Sequence, residues 1–390
     1  MQSRSVVTIA TLPWPRLIAV LGIAIAVGIF GGLAGGATVL NLDNGAAPTP
    51  VLVAVAATSA PPPSEGARMR DAIAHVFPSV VTIIADFPPE TRDGTSIDSP
   101  NFGTGIVVSE QGLVITNFHV VDGATAITVV LSTGERRPAV LIADDSPFTD
   151  LAVLGIDSTD LRVASFGDSD TVQLGEPLAV IASGLITFEN QVKLGVLSAR
   201  QPRFPKEGVD LLDMLQTDAA ANHGDSGAAL VNLDGEVVGL ITTVVHQSGG
   251  QRVEGVAIAH SANTLRPIVE AVETTGFNPR PRIGIERVNT GHIPITPVFA
   301  EAQGLPVSFG AVIVSVATGS PAETAGIEGG DIVIGVNGVQ IDHDFPFVNL
   351  LGFAETGEEL DLFVLRGDAQ VVISVVPQII TSDLNSGGRP

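Results

Sequence analysis

From Ser79 to Ala259 the chain is cut into apolar runs of about five to eight residues, most of them bounded by Gly, Asp, Asn or Pro. The runs are Ser79–Ala85, Gly105–Ser109, Leu113–Asn117, Ala126–Leu131, Leu151–Ile156, Pro177–Ile181, Gly195–Ala199, Ala228–Asn232, Val237–Val245 and Gly255–Ala259. Many short strands with turn residues between them predict a β-barrel or sandwich. Ser109-Glu-Gln-Gly112 has the composition of a hairpin connection. Two helices frame the block. One is predicted over Met69–Phe77, ended by Pro78, and one over Ser261–Thr274, opened by a serine cap and ended before Gly276.

The segments outside this block differ in kind. From Leu17 to Leu42 no residue is charged. As a helix that run would reach roughly 39 Å, enough for a hydrocarbon core of about 30 Å. Arg4 and Arg16 precede it, Trp14 sits at its edge and Asp43 follows it. The positive-inside bias then leaves residues 1–16 in the cytoplasm and everything after the span outside it. A cleaved signal peptide is the alternative; its apolar core is usually about 7–15 residues, shorter than this run. Residues 43–67, with Pro61-Pro-Pro63, read as an extended linker. The expected order is therefore a single-pass anchor at 17–42, the linker, a β domain at 68–277, a second domain at 280–378 set off by Asn278-Pro-Arg-Pro281, and a solvated tail at 379–390.

Charge and cysteine usage exclude several functions. Against 42 acidic residues stand 19 basic ones, a net charge of −23, which disfavours nucleic acid as a partner. Only Lys193 and Lys206 are lysines. The absence of cysteine removes thiol nucleophiles, thiolate metal sites and disulfide scaffolds. His246 and His260 have no acid at ligand spacing, so no metal site is expected, and no cofactor is implied.

Three segments of the β domain carry chemistry: Thr116-Asn-Phe-His-Val-Val121, Thr149-Asp-Leu-Ala-Val-Leu154 and Gly224-Asp-Ser-Gly227. A serine hydroxyl needs an imidazole within hydrogen-bond reach to become a nucleophile. A carboxylate on the far ring nitrogen fixes the tautomer and stabilises the imidazolium. Glycines let consecutive backbone amides curl around one point, so the turn Gly224, Asp225, Ser226 is the expected oxyanion hole, with the amides of Gly224 and Ser226 foremost. Asp144 and Asp145 compete with Asp150; they sit in the preceding loop and are expected to be solvated. Asp225 is expected to bond locally within its turn. His223 is expected to face solvent.

With Phe102-Gly-Thr-Gly-Ile-Val-Val108, Phe166-Gly-Asp-Ser-Asp170 and Gln216-Thr-Asp-Ala-Ala220 added in this order, the chain resembles a trypsin-like serine protease of the HtrA/Deg type over about residues 68–378. The resemblance implies a mostly β, double-barrel protease domain with its active site between the barrels. It also implies His119 as general base, Asp150 as its orienter, Ser226 as nucleophile, and homotrimers. Ala220, six residues before Ser226, looks equivalent to the floor of the specificity pocket, which implies small or medium apolar side chains at the cleaved residue. Asn222-His-Gly-Asp225, Ala228-Ala229 and Ala182-Ser-Gly-Leu-Ile186 depart from the family pattern.

The second domain carries Gly319-Ser-Pro-Ala-Glu-Thr-Ala-Gly326 and Gly330-Asp-Ile-Val-Ile-Gly-Val-Asn-Gly338, and resembles a protease-associated PDZ domain, an α+β fold. In that resemblance Arg282, Ile283, Gly284 and Ile285 form the loop that cups a peptide carboxylate, and the stretch Phe347–Leu351 lines the side-chain pocket. Twelve acids against three arginines over residues 281–378 imply a preference for apolar over acidic peptide tails. The resemblance as a whole implies a membrane-anchored, extracytoplasmic endopeptidase that cuts misfolded or signalling proteins and uses the PDZ domain to recruit substrate or regulate activity. The alternative is a peptide-binding chaperone with an inactive protease domain.

Overall fold

The computed structural model describes residues 63–92, 95–97, 100–183, 190–248, 251–352, 354–355 and 357–379. The expected anchor at 17–42, residues 43–62 of the linker and all but the first residue of the tail lie outside the described residues; residues 65–67, expected as extended linker, are already helical. Among the described residues no helix is long and apolar enough to cross a membrane.

The expected double barrel is present. The first barrel closes over β1 (Val80–Asp86), β2 (Asn101–Val107), β3 (Leu113–Asn117), β4 (Ala126–Val130), β5 (Arg136–Asp144) and β6 (Leu151–Gly155), in the order β1-β2-β3-β6-β5-β4. The second closes over β7 (Pro177–Ser183), β8 (Asn190–Lys206), β9 (Val209–Thr217), β10 (Ala229–Val231), β11 (Val237–Val244) and β12 (Ala257–Ser261), in the order β8-β9-β12-β11-β10-β7.

Strand alternation sorts the side chains into separate cores. Val81, Ile83, Val114, Val129, Ala152 and Leu154 fill the first barrel. Leu178, Val180, Leu197, Leu215, Leu230 and Ala259 fill the second. The intervening positions Val80, Ile115, Leu151, Val153, Ile181 and Val231 point the other way and form a shared core between the barrels. This explains why the sequence shows continuous apolar runs and not a clean polar/apolar alternation: both strand faces are buried.

Helices α1 (Glu65–Val76) and α3 (Ala262–Thr275) pack Met69, Val76, Leu265 and Val269 onto that shared core. Ser64 and Ser261 cap them through their side chains, and Gly276 ends α3 in the left-handed conformation. One-turn helix α2 (Phe118–Val121) follows β3 directly.

The second domain is a sheet ordered β13 (His292–Ile295), β14 (Gly310–Ile313), β15 (Ile332–Val336), β17 (Leu360–Arg366) and β18 (Ala369–Val375), with β16 (Val339–Gln340) paired to β15. Helices α4 (Pro297–Gln303), α5 (Pro321–Ala325) and α6 (Phe347–Gly352) complete it. Its core gathers Ile283, Ile285, Ile313, Val333, Phe347, Leu351 and Leu362. Leu351 is thus a core residue of this domain.

The two domains meet along the loop that leads into the Asp150 strand, and here one expectation is overturned. Asp144 and Asp145 are buried, not solvated. Asp145 receives Arg280 Nε at 2.5 Å and Nη2 at 2.9 Å, with Asn278 Nδ2 at 2.7 Å. Asp144 receives Arg287 at 2.9 Å and Arg282 at 3.3 Å. A buried carboxylate is tolerated when cations and amide donors replace its water. The second domain supplies those cations. Phe148 lies under Arg280, 4.7 Å from its guanidinium to the ring centre, and packs against the second domain's core. The β8–β9 hairpin adds a second contact: Asp210 and Asn349 exchange two hydrogen bonds, at 2.9 and 2.8 Å.

Candidate active site

Three chain segments converge on one point. Asn117 ends β3, and the backbone turns into α2, so His119 projects from a single turn pinned to the next segment. Phe118 N–H donates to the Asp150 carbonyl at 2.7 Å, and His119 N–H donates to Asp150 Oδ1 at 3.0 Å. Asp150 is anchored in turn by its own N–H, which donates to His260 Nε2 at 3.2 Å.

The relay is continuous. His119 Nδ1 lies 2.5 Å from Asp150 Oδ2, and His119 Nε2 lies 3.0 Å from Ser226 Oγ. An ionised carboxylate only accepts, so the proton sits on Nδ1 and the Nε2 lone pair faces the serine hydroxyl. Asp150 Oδ2 also accepts from Thr242 Oγ1 at 2.8 Å and from Lys206 Nζ at 3.2 Å. Burial pushes the Asp150 carboxyl up, but the hydrogen bond and charge of His119, followed by the charge of Lys206, outweigh it and hold the group well below the usual carboxylate range.

His260 is fully buried, and burial lowers its pKa to about 4, against the opposing pull of Asp150. It is neutral at pH 7, which suits the acceptor role of Nε2. Its Nδ1 finds no partner among the described residues. Sequence reasoning missed this residue. The signal was a histidine inside an otherwise apolar strand, and its partner lies 110 positions away.

The serine is held by its turn. Residues His223–Asp225 form a single 3-10 turn that opens at Asn222. Asp225 N–H donates to the Asn222 carbonyl at 2.9 Å, and the Asp225 side chain accepts from Asn222 N–H at 2.5 Å. The Asp225 amide is therefore committed within the turn, which takes it out of the expected set of oxyanion donors. Asp225 also accepts from Lys193 Nζ, in an ion pair whose side chains are 16% and 6% exposed. Gly227 follows with φ +84°, where a Cβ would stand 1.9 Å from the Thr104 carbonyl oxygen. Thr104 N–H donates to the Ser226 carbonyl at 2.8 Å, which ties the serine to the first barrel. Only glycine permits that approach.

A cavity of about 700 Å³ opens beside the triad, lined by His119, Lys206, Ser226, Thr242, Arg287 and Asn289. It is large enough for several residues of a peptide. Ala220 is exposed. Gly184-Leu-Ile186 lies outside the described residues, as does the side chain of His223. Among the described residues no group of His, Asp and Glu could hold a metal ion.

In the second domain Ile283 and Ile285 are buried in the core. Gly284 has φ +95°, with Ser320 filling the space where a Cβ would go. The Ile283 amide donates to Glu286 Oε1, and the Gly284 amide donates to both Glu286 oxygens at 3.0 Å. Arg282 turns away from this cup and grips the Ser146 carbonyl at 2.8 Å and the Asp144 carbonyl at 3.0 Å. The amides expected to receive a peptide carboxylate are thus bonded to a carboxylate of the chain itself.

Two sequence families match: a trypsin-like peptidase domain over residues 103–240 and a PDZ domain over residues 281–376. A serine protease Do-like HtrA of Lactococcus lactis subsp. cremoris is 32% identical over 308 residues, covering 76% of this chain and 74% of that protein. A probable periplasmic serine endoprotease, DegP-like, of Marinomonas sp. is 35% identical over 298 residues. That match covers 76% of this chain, but the chain spans only 60% of the Marinomonas protein's length. Among solved structures, the HtrA-type protease AlgW with a tripeptide aligns with TM-score 0.51 at 26% identity, over 81% of this chain and 97% of that one. A serine endoprotease from Yersinia pestis aligns with TM-score 0.50 at 25% identity, over 82% and 100%.

Proposed function

The chain belongs to the HtrA family of trypsin-like serine proteases, and from that premise we propose that it is an extracytoplasmic serine endopeptidase acting by acyl transfer. The observation that carries this reading is the unbroken relay Asp150–His119–Ser226, with Nε2 at 3.0 Å from Oγ. Ser226 Oγ attacks the scissile carbonyl as its proton passes to His119 Nε2. The amides of Gly224 and Ser226 receive the oxyanion. His119 then gives the proton to the departing amine nitrogen as the C–N bond breaks, leaving an ester on Ser226. A water molecule, deprotonated by the same imidazole, hydrolyses the ester and returns Ser226 to its starting state. Asp150 stays ionised throughout.

The substrate class is polypeptide, with small or medium apolar side chains at the cleaved residue. The PDZ domain takes peptide C-termini. The extracytoplasmic location rests on the periplasmic designation of the Marinomonas relative and on the uncharged run at 17–42, which would anchor the chain in the membrane. Assembly as a homotrimer rests on the family alone.

A fluorophosphonate probe tests the reading. It should label the parent chain and leave Ser226→Ala unlabelled. A parent chain that takes no label would favour the chaperone alternative.

A further inference from the structure

The loop that would cup a peptide carboxylate is not waiting empty. Glu286 is a carboxylate only 3% exposed, and it spends its oxygens on the amides of Ile283 and Gly284. Burying a carboxylate is costly unless donors replace its water, and charge-assisted bonds from backbone amides are among the stronger replacements. A peptide C-terminus would make the same bonds to the same amides. Two carboxylates cannot share them.

We propose that Glu286 is the resident ligand of the carboxylate cup and sets what the PDZ domain accepts: a peptide terminus enters only by replacing the Glu286 side chain on the amides of Ile283 and Gly284. This deepens the peptide-binding reading given above and rests on it. The frame around the cup suits a side-chain exchange. Gly284 is fixed in its left-handed conformation against Ser320, and the Ile283 and Gly284 carbonyls are held by the amides of Ala322 at 2.9 Å and Ala317 at 3.1 Å. Arg282 and Arg287 pin both ends of the loop to Asp144. The backbone of the cup therefore keeps its shape while the occupant changes. While Glu286 holds these amides it masks their preference for a free terminal carboxylate; removing its charge should reveal that preference, because an amidated end cannot replace a carboxylate on the two amides.

The test uses the full chain carrying Ser226→Ala, so that the probe survives. The probe is an apolar heptapeptide ending in Val-Val-Phe, as the free acid and as the C-terminal amide, measured by calorimetry. The parent should bind the acid weakly, within about threefold of the amide. Glu286→Ala should bind the acid at least tenfold tighter than the parent does, with the amide unchanged. Glu286→Gln keeps the volume and loses the charge; it should fall between them, which guards against a result due to misfolding in the alanine variant. Equal affinity of parent and both variants for the acid, with a clear preference over the amide, would overturn the resident-ligand role and leave the peptide-binding reading standing. No preference for the acid in any variant would overturn both.

Discussion

Asp150 and Glu286 are both buried carboxylates, yet the chain satisfies them differently. Asp150 sits among a histidine, a threonine hydroxyl, a lysine and a backbone amide. Glu286 is bonded to two amides of its own loop. The first arrangement holds one ionisation state in one orientation, as a general-base relay requires. The second is a set of bonds that any other carboxylate can reproduce. The same distinction runs through the protease domain, where Asp225 is locked by Lys193, and Asp144 and Asp145 by arginines of the second domain. Of the two lysines of a strongly acidic chain, Lys206 stands on Asp150 of the triad and Lys193 on Asp225, next to Ser226.

The largest expected effect lies at the locked carboxylate. Asp150→Asn should lower kcat by about 10⁴-fold at neutral pH, because the amide cannot hold the proton on Nδ1. Peptide hydrolysis at constant protein concentration checks it; a loss below about tenfold would detach Asp150 from the relay. Next comes Lys193→Met. Leaving Asp225 buried without its cation costs about 3–5 kcal/mol. The turn that presents Ser226 should open, with kcat reduced by more than about 100-fold and KM little changed. Lys193→Arg should restore part of the rate, whereas equal loss in both would make the contact one of shape and not of charge.

The two domains also share a pH liability. His260 in the second barrel and His292 in the PDZ domain each have a pKa lowered to about 4, in both cases chiefly by burial. The unfolded chain takes up these protons first on acidification, near the ordinary value of 6.5. Stability is therefore intact above that value and is lost as pH falls towards 4, by about 3 kcal/mol for each histidine. Denaturant titrations at pH 7 and pH 4 should show this drop. His292→Leu should reduce it, and an unchanged slope would remove His292 as a source.

Much of this was legible in the sequence. The cup and the helix caps lie in short motifs whose residues act on near neighbours; the triad bonds span 31 and 107 positions, but each member sits in its own short recognisable motif. The class of fold followed from the apolar runs, although the 17-residue strand β8 was visible only as the piece Gly195–Ala199, because its outer stretch alternates charged and exposed residues. What stayed hidden is long-range. The burial of Asp144 and Asp145 depends on Arg280, Arg282 and Arg287, more than 130 positions on. Glu286 did leave a signal, an acid directly after the carboxylate loop. Its meaning appears only once the loop is seen to curl back on it.

The smallest expected effect sharpens the contrast between the two lysines. Lys206 lies at the tip of the β8–β9 hairpin with 26% of its side chain exposed, against 16% for Lys193. Its ammonium shares Asp150 Oδ2 with His119 and Thr242, so removing it still leaves the carboxylate bonded by the His119 ring, the His119 amide and the Thr242 hydroxyl. The ammonium keeps part of its own hydration, and the hydrogen bonds that remain on Asp150 hold its orientation. Lys206→Met should therefore change kcat/KM by less than about fivefold, far less than Lys193→Met. A loss above 100-fold would mean that Asp150 depends on Lys206 as Asp225 depends on Lys193, and that burial is not what separates the two pairs.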